Sequence, residues 1–122
     1  MTAPAAPYDG RHLVADLHGC TGLDDAARIE AALRAGAEAA GATVLDVRLH
    51  PFGPGAGVTG VALLAESHIS IHSWPEHRYA AIDIFVCGRR CRPDAALETI
   101  AAMLEAEEVR TTTLARGYGL GG

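Results

Sequence analysis

Glu66-Ser67-His68-Ile69-Ser70-Ile71-His72-Ser73-Trp74-Pro75-Glu76, followed after His77-Arg78 by Tyr79-Ala80-Ala81-Ile82-Asp83-Ile84-Phe85-Val86-Cys87-Gly88, decides the fold. Residues 79–87 alternate with the period of a strand: Ala80, Ile82, Ile84 and Val86 share one face, and Tyr79, Ala81, Asp83, Phe85 and Cys87 share the other. Residues 68–74 form the preceding strand, which Pro75 stops. The short polar turn at His77-Arg78 makes the two strands antiparallel neighbours. One face is plain core. The other mixes Asp83 and Cys87 with aromatics, and a mixed face on a small domain marks an interface or a site. The same stretch holds three of the six histidines, the only tryptophan and one of the three cysteines.

Working outward, residues 11–20 alternate Leu13, Ala15 and Leu17 with Val14, Asp16 and His18, which predicts a first strand. A helix over 24–40 follows, capped by Thr21 or Asp24, with Ile29, Leu33 and Ala37 at helical spacing and Gly41 as its stop. Residues 43–50 read as a second strand, with Val44, Asp46, Arg48 and His50 on one face and Leu45, Val47 and Leu49 on the other. Prolines and glycines around Phe52 make 51–57 a loop, and 58–65 a third strand. Pro93 opens a helix over 94–107 that turns Leu97, Ile100, Ala101 and Leu104 inward. A last strand covers 109–114. Met1 to Pro7 and the glycine-rich end from Arg116 read as tails.

Strand, helix, several consecutive strands, helix and strand make an α+β fold. The expected architecture is a two-layer α/β sandwich, mostly antiparallel, with two helices on one face of the sheet. The 122 residues suit a single domain with one core. A net charge of −5 argues against a nucleic-acid partner. No apolar run is long enough to span a bilayer, and residues 1–10 lack a signal pattern, so a cytoplasmic location is expected.

All ten basic residues are arginine. Without lysine there is no Schiff base to pyridoxal phosphate and no lysine-type aldolase. Any carbonyl electron sink comes from elsewhere. Cys87 and Cys91, with His68 and His72, are a conceivable zinc set, but their spacing lacks the tight knuckle of structural sites, and no metal is expected. Ser67 lacks the Gly-x-Ser-x-Gly elbow of a hydrolase, and Cys87 ends a strand, where no helix N-terminus lowers a thiol pKa. His12, His18 and His50 read as surface or satisfied core. A small non-enzymatic sandwich that binds a metal or a partner is the competing class.

The pattern Glu-Ser-His-x-Ser-Ile-His-x-Trp-Pro-Glu, then Tyr-Ala-Ala-Ile-Asp-Ile-Phe-x-Cys-Gly, resembles the proenzyme of bacterial and archaeal S-adenosylmethionine decarboxylase. The resemblance extends to Gly57-Val58-Thr59-Gly60 and Arg11-His12-Leu13 and covers about residues 9–116. It implies self-cleavage between Glu66 and Ser67, giving a β chain 1–66 and an α chain 67–122 that begins with a pyruvoyl group made from Ser67. That ketone forms a Schiff base with the substrate amine and accepts the electrons left by CO₂, which answers the missing lysine.

By the same resemblance, His72 is the base of self-processing, Thr59 supports its cyclic intermediate, and Cys87 returns a proton to the substrate. Glu76 holds the ribose, Phe52 is the candidate to stack on adenine, and Trp74 is a further aromatic for the substrate. The resemblance also implies a homodimer of processed protomers that completes each site at its interface, and a product that serves polyamine synthesis. Two departures touch substrate recognition. The segment Gly53-Pro54-Gly55-Ala56 is one residue longer than the common pattern, and His77-Arg78 replaces an aromatic–Gly pair. Relatives that decarboxylate ornithine or arginine make those amino acids the alternative substrates.

Overall fold

A computed structural model describes residues 10–87 and 90–117. Its elements run β1 (Gly10–His18), α1 (Ala26–Ala39), β2 (Val44–Pro51), β3 (Val58–Leu64), β4 (Ser67–Trp74), a 3₁₀ turn (Pro75–His77), β5 (Tyr79–Cys87), α2 (Pro93–Met103) and β6 (Glu108–Arg116). The six strands form one sheet in the order β2-β3-β4-β5-β1-β6, and every neighbouring pair is antiparallel. Strands β2 to β5 follow one another as a meander because their links are short. β1 then fills the far side of β5, and β6 takes the edge beside it.

The helices begin and stop for legible reasons. Asp25 caps α1, its carboxylate accepting from the Arg28 N–H at 3.1 Å. The cap is thus one residue beyond the expected Asp24. Gly41, at φ 81°, ends α1, with Gly41 N–H donating to the Glu38 carbonyl and Ala42 N–H to the Ala37 carbonyl. α2 ends by the same double bond pattern at Glu105, whose φ of 57° is unusual for a residue with a side chain. It stops at Met103, short of the expected residue 107, yet Leu104 still enters the core.

Both helices pack on one face of the sheet. Ile29, Leu33 and Ala37 of α1, Ile100 of α2 and Leu104 just beyond its end meet Leu13, Leu17, Ile69, Ile82, Ile84 and Val86 in a single core. A Cβ on Gly36 would run into Ile100, so the glycine lets α1 and α2 approach closely. Ser73 is the one polar side chain buried in this layer among the described residues; its hydroxyl donates to the Leu23 carbonyl at 2.7 Å and accepts from the Val58 N–H at 2.9 Å.

Two sequence expectations are corrected. Leu45 was expected beside Val47 and Leu49, but the register between β2 and β3 shifts between Val44 and Asp46. This bulge returns Val44 to the core side and leaves Leu45 66% exposed. The last strand is longer than 109–114 and takes in Arg116, which was read as tail. The tail at Met1 to Pro7 lies outside the described residues.

The face away from the helices carries His12, Asp16 and His18 from β1, and Thr59 from β3. It also carries His68, Ser70, His72 and Trp74 from β4, and Tyr79, Asp83 and Phe85 from β5, by the alternation of each strand. No described helix covers it.

Candidate functional site

The open face has two ends of different character. At the first, β3 and β4 are joined by the tight turn Ala65-Glu66. Leu64 pairs with Ser67, and Glu66 sits in the left-handed region at φ 63°. A residue with a Cβ pays about 1–2 kcal/mol for that conformation. The backbone strain therefore falls on the residue that precedes Ser67. Ser67 is fixed from the other side: its hydroxyl oxygen accepts from the Cys87 N–H at 3.2 Å. Strand β5 thus brings Cys87 to Ser67, twenty residues apart in sequence. Cys87 is a free, half-buried thiol.

A cavity of about 380 Å³ opens beside this turn, lined by His12, Glu66, Ser67, His68, Phe85 and Arg116. Phe85 is its centre. The His68 ring stacks on it at 5.7 Å and the His12 ring meets it edge-on at 5.6 Å. The Arg116 guanidinium lies 6.0 Å from the Phe85 ring centre, at the outer reach of a cation–π contact. Behind Phe85, His12 Nε2 is 2.9 Å from Asp83 Oδ1, and the Ser70 hydroxyl donates to Asp83 Oδ2 at 3.2 Å. Arg116 donates toward His12 Nδ1 at 3.3 Å, an arrangement that suits the Nε2–H tautomer.

At the second end, Thr59 and His72 are direct partners across β3 and β4. The His72 ring lies 3.9 Å from Trp74 and 5.9 Å from Phe52, and His50 meets Phe52 at 5.0 Å. Trp74 continues to Tyr79 at 5.1 Å and Tyr79 to His18 at 5.2 Å, so the aromatics form a ladder across the sheet. The Tyr79 hydroxyl donates to Asp16. That bond, then burial and the Asp16 charge, push the phenol up to about 12. His72 Nδ1 is buried without a hydrogen-bond partner among the described residues. A cavity of about 440 Å³ opens here, with Thr59, His72, His50, Arg48, Ser70 and Asp83 in its lining. Phe52, 56% exposed, packs on His50 and His72 of this lining despite the long loop behind it. Glu76 is exposed on the 3₁₀ turn.

The expected site residues therefore fall into two groups. Glu66, Ser67 and Cys87 are together, and so are Thr59, His72, Phe52 and Trp74. Ser67 and His72 are not: both lie on β4, five residues apart, which is roughly 16 Å along a strand at about 3.3 Å per residue.

The sequence reading passed over His12, set aside as surface or satisfied core, and Arg116. The signal for His12 was its parity on β1. It alternates with the core residues Leu13, Ala15 and Leu17 and so had to face the mixed side with Asp83 and Phe85. Arg116 carried no such signal, because β6 is exposed on both faces. Among the described residues no three His, Cys, Asp or Glu groups converge as metal ligands. Among the described residues no helix is long and apolar enough to cross a membrane.

Comparison with known proteins bears on this arrangement. The family model described as S-adenosylmethionine decarboxylase matches residues 11–117. A proenzyme of that name from Methanococcus maripaludis is 46% identical, over 88% of this chain and 89% of its own. Its counterpart from Thermomicrobium roseum is 39% identical, over 88% and 93%. The crystal structure of the adenosylmethionine decarboxylase from Aquifex aeolicus superposes with a TM-score of 0.84 at 33% identity, covering 96% of this chain and 98% of that one.

Proposed function

The chain belongs to the S-adenosylmethionine decarboxylase family, and from that premise we propose that it is a self-processing decarboxylase of S-adenosylmethionine whose product serves polyamine synthesis. The observation that carries this reading is the family match over residues 11–117, with Glu66-Ser67 at a strained hairpin turn inside it. The relatives are proenzymes by name, so maturation by cleavage is part of the reading.

We place the cut between Glu66 and Ser67, and the prosthetic group at Ser67. The residues fit a group made from the chain. Ser67 ends a turn whose backbone is already strained, its oxygen is held by the Cys87 N–H, and a cavity lies beside it. A pyruvoyl group there supplies a ketone that condenses with the substrate amine and draws off the electron pair released with CO₂. The chain's own residues do the rest. Cys87, next to residue 67 through its backbone, is placed to return a proton from Sγ. Thr59 and His72, paired across β3 and β4, are the processing hydroxyl and base. Phe52 offers a ring to the adenine beside His72, with Trp74 also against that imidazole and Glu76 available to the ribose.

His72 does not reach Ser67 within one chain, and no described helix covers the open face. Both facts support a homodimer in which each chain's Ser67 end meets the partner's His72 end. Such pairing also buries the aromatic ladder and the Asp83 network between two sheets.

The test is CO₂ release from labelled S-adenosylmethionine, ornithine and arginine in parallel. Release from S-adenosylmethionine alone is expected. Release from ornithine or arginine without S-adenosylmethionine would refute the substrate. Sedimentation at micromolar concentration is expected to show a dimer, and monomer alone would contradict the shared site.

A further inference from the structure

We infer that Arg116 is the receptor for the carboxylate that self-cleavage creates on Glu66, and so acts as a positioning residue that holds the new chain end out of the substrate's way. The inference rests on the processing proposed above. In that reaction the Ser67 oxygen adds to the Glu66 carbonyl carbon, the C–N bond breaks and an ester forms. A base then removes the Ser67 Cα proton while the Cβ–Oγ bond breaks. Glu66 leaves as a carboxylate that keeps the former Ser67 oxygen. Residue 67 takes up one water and loses one ammonia to become the ketone.

The reaction thus makes a new anion at a fixed place. Glu66 then carries two negative charges, its side chain and its terminus, at the lip of the 380 Å³ cavity beside residue 67. The substrate brings its own α-carboxylate to the same spot, since its amine bonds to residue 67. Two carboxylates side by side repel unless one is neutralised. Arg116 is the one guanidinium lining that cavity among the described residues.

Its setting fits the task. Arg116 stands over Phe85 and donates to His12 Nδ1, and His12 is in turn held by Asp83. These contacts fix the guanidinium while leaving most of its donors for a carboxylate. Among the described residues no carboxylate pairs with Arg116, and no cation pairs with the Glu66 side chain, in the uncut chain. Binding the substrate carboxylate itself is the less favourable use. A firm grip on the group that departs as CO₂ stabilises the ground state and slows the reaction.

Carboxypeptidase digestion of the processed enzyme, read by intact mass, tests this. Arg116→Gln is expected to cut itself as the wild type does. It is then expected to lose Glu66 from its β chain about tenfold faster, the factor for one lost charge-assisted hydrogen bond at a partly exposed site. Arg116→Lys, which keeps the charge, is expected to restore most of the protection and also guards against a folding defect. Equal trimming in all three proteins overturns the inference. So does unchanged trimming with a raised KM, which assigns Arg116 to the substrate carboxylate instead. A wild type that remains uncut before any protease is added overturns the processing reading, and with it this one.

Discussion

The Ser67 end and the His72 end of the open sheet face share one strand and differ in almost everything else. The Ser67 end is a tight turn with a strained backbone, a hydroxyl held by a main-chain N–H, a thiol, and an arginine fixed over a phenyl ring. The His72 end is a wide aromatic shelf with one threonine and an imidazole whose Nδ1 has no described partner. In the proposed function the first forms and holds the reactive carbonyl. The second can bind a flat, partly apolar ligand and move a proton. β4 holds the two roughly 16 Å apart. One rigid strand can thus keep two chemically different groups apart, which is why the proposed function brings in a second chain.

The largest effect should come from breaking each end in a different copy. Alone, Ser67→Ala cannot cut, and His72→Ala should cut slowly or not at all. Co-expressed, the intact Ser67 of one chain meets the intact His72 of the other, and the His72→Ala chain should be cleaved in the mixed dimer. Gel analysis of tagged chains reads this directly. If the co-expressed chains stay as uncut as each does alone, the ends do not meet across copies.

Next in size is the split within the Ser67 end. Cys87→Ala should leave cleavage intact and lower turnover by about 10²–10⁴-fold, the range for losing a positioned proton donor. A normal kcat would remove Cys87 from the chemistry. At the shelf, Phe52→Ala should raise KM for S-adenosylmethionine about tenfold, within the range of one base–aromatic stacking contact, with little change in cutting. An unchanged KM would move the adenine elsewhere.

The smallest effect concerns the ladder beyond Trp74. The Tyr79 phenol, raised to about 12 mainly by its bond to Asp16, is neutral in the folded protein well above the pH at which a free phenol ionises. A raised folded value means that its contribution to stability is complete below about pH 10 and is lost as pH rises through about 12. Ultraviolet titration should find one late phenolate in the wild type and an earlier one in Asp16→Asn. Coincident titrations would show that Asp16 does not hold Tyr79.

Much of this was legible in the sequence because strands with one buried face announce their period. Residues 79–87 gave both the boundaries and the two faces of β5, and Gly41 marked the end of α1. Ser67 and Cys87 stood together in the family motif, and the hairpin explains their contact: β4 and β5 return Cys87 to Ser67. Other features left no such trace. The bulge at Leu45 is a register slip against β3, fixed by pairing and not by the local pattern. His12 was visible as a parity but not as a partner of Asp83. The distance from Ser67 to His72 was implicit in five strand residues, yet the motif lists them together as if they were neighbours. Arg116 sits on a strand exposed on both faces, where alternation carries no information.

Intact-mass spectrometry of the purified protein, beside Ser67→Ala, reads whether the chain cuts itself at Ser67. Wild type should give two chains, 1–66 and 67–122, the second carrying a ketone in place of its amino group, while Ser67→Ala should give one uncut, inactive chain. A wild-type protein that remains a single intact chain and still decarboxylates S-adenosylmethionine would contradict the account.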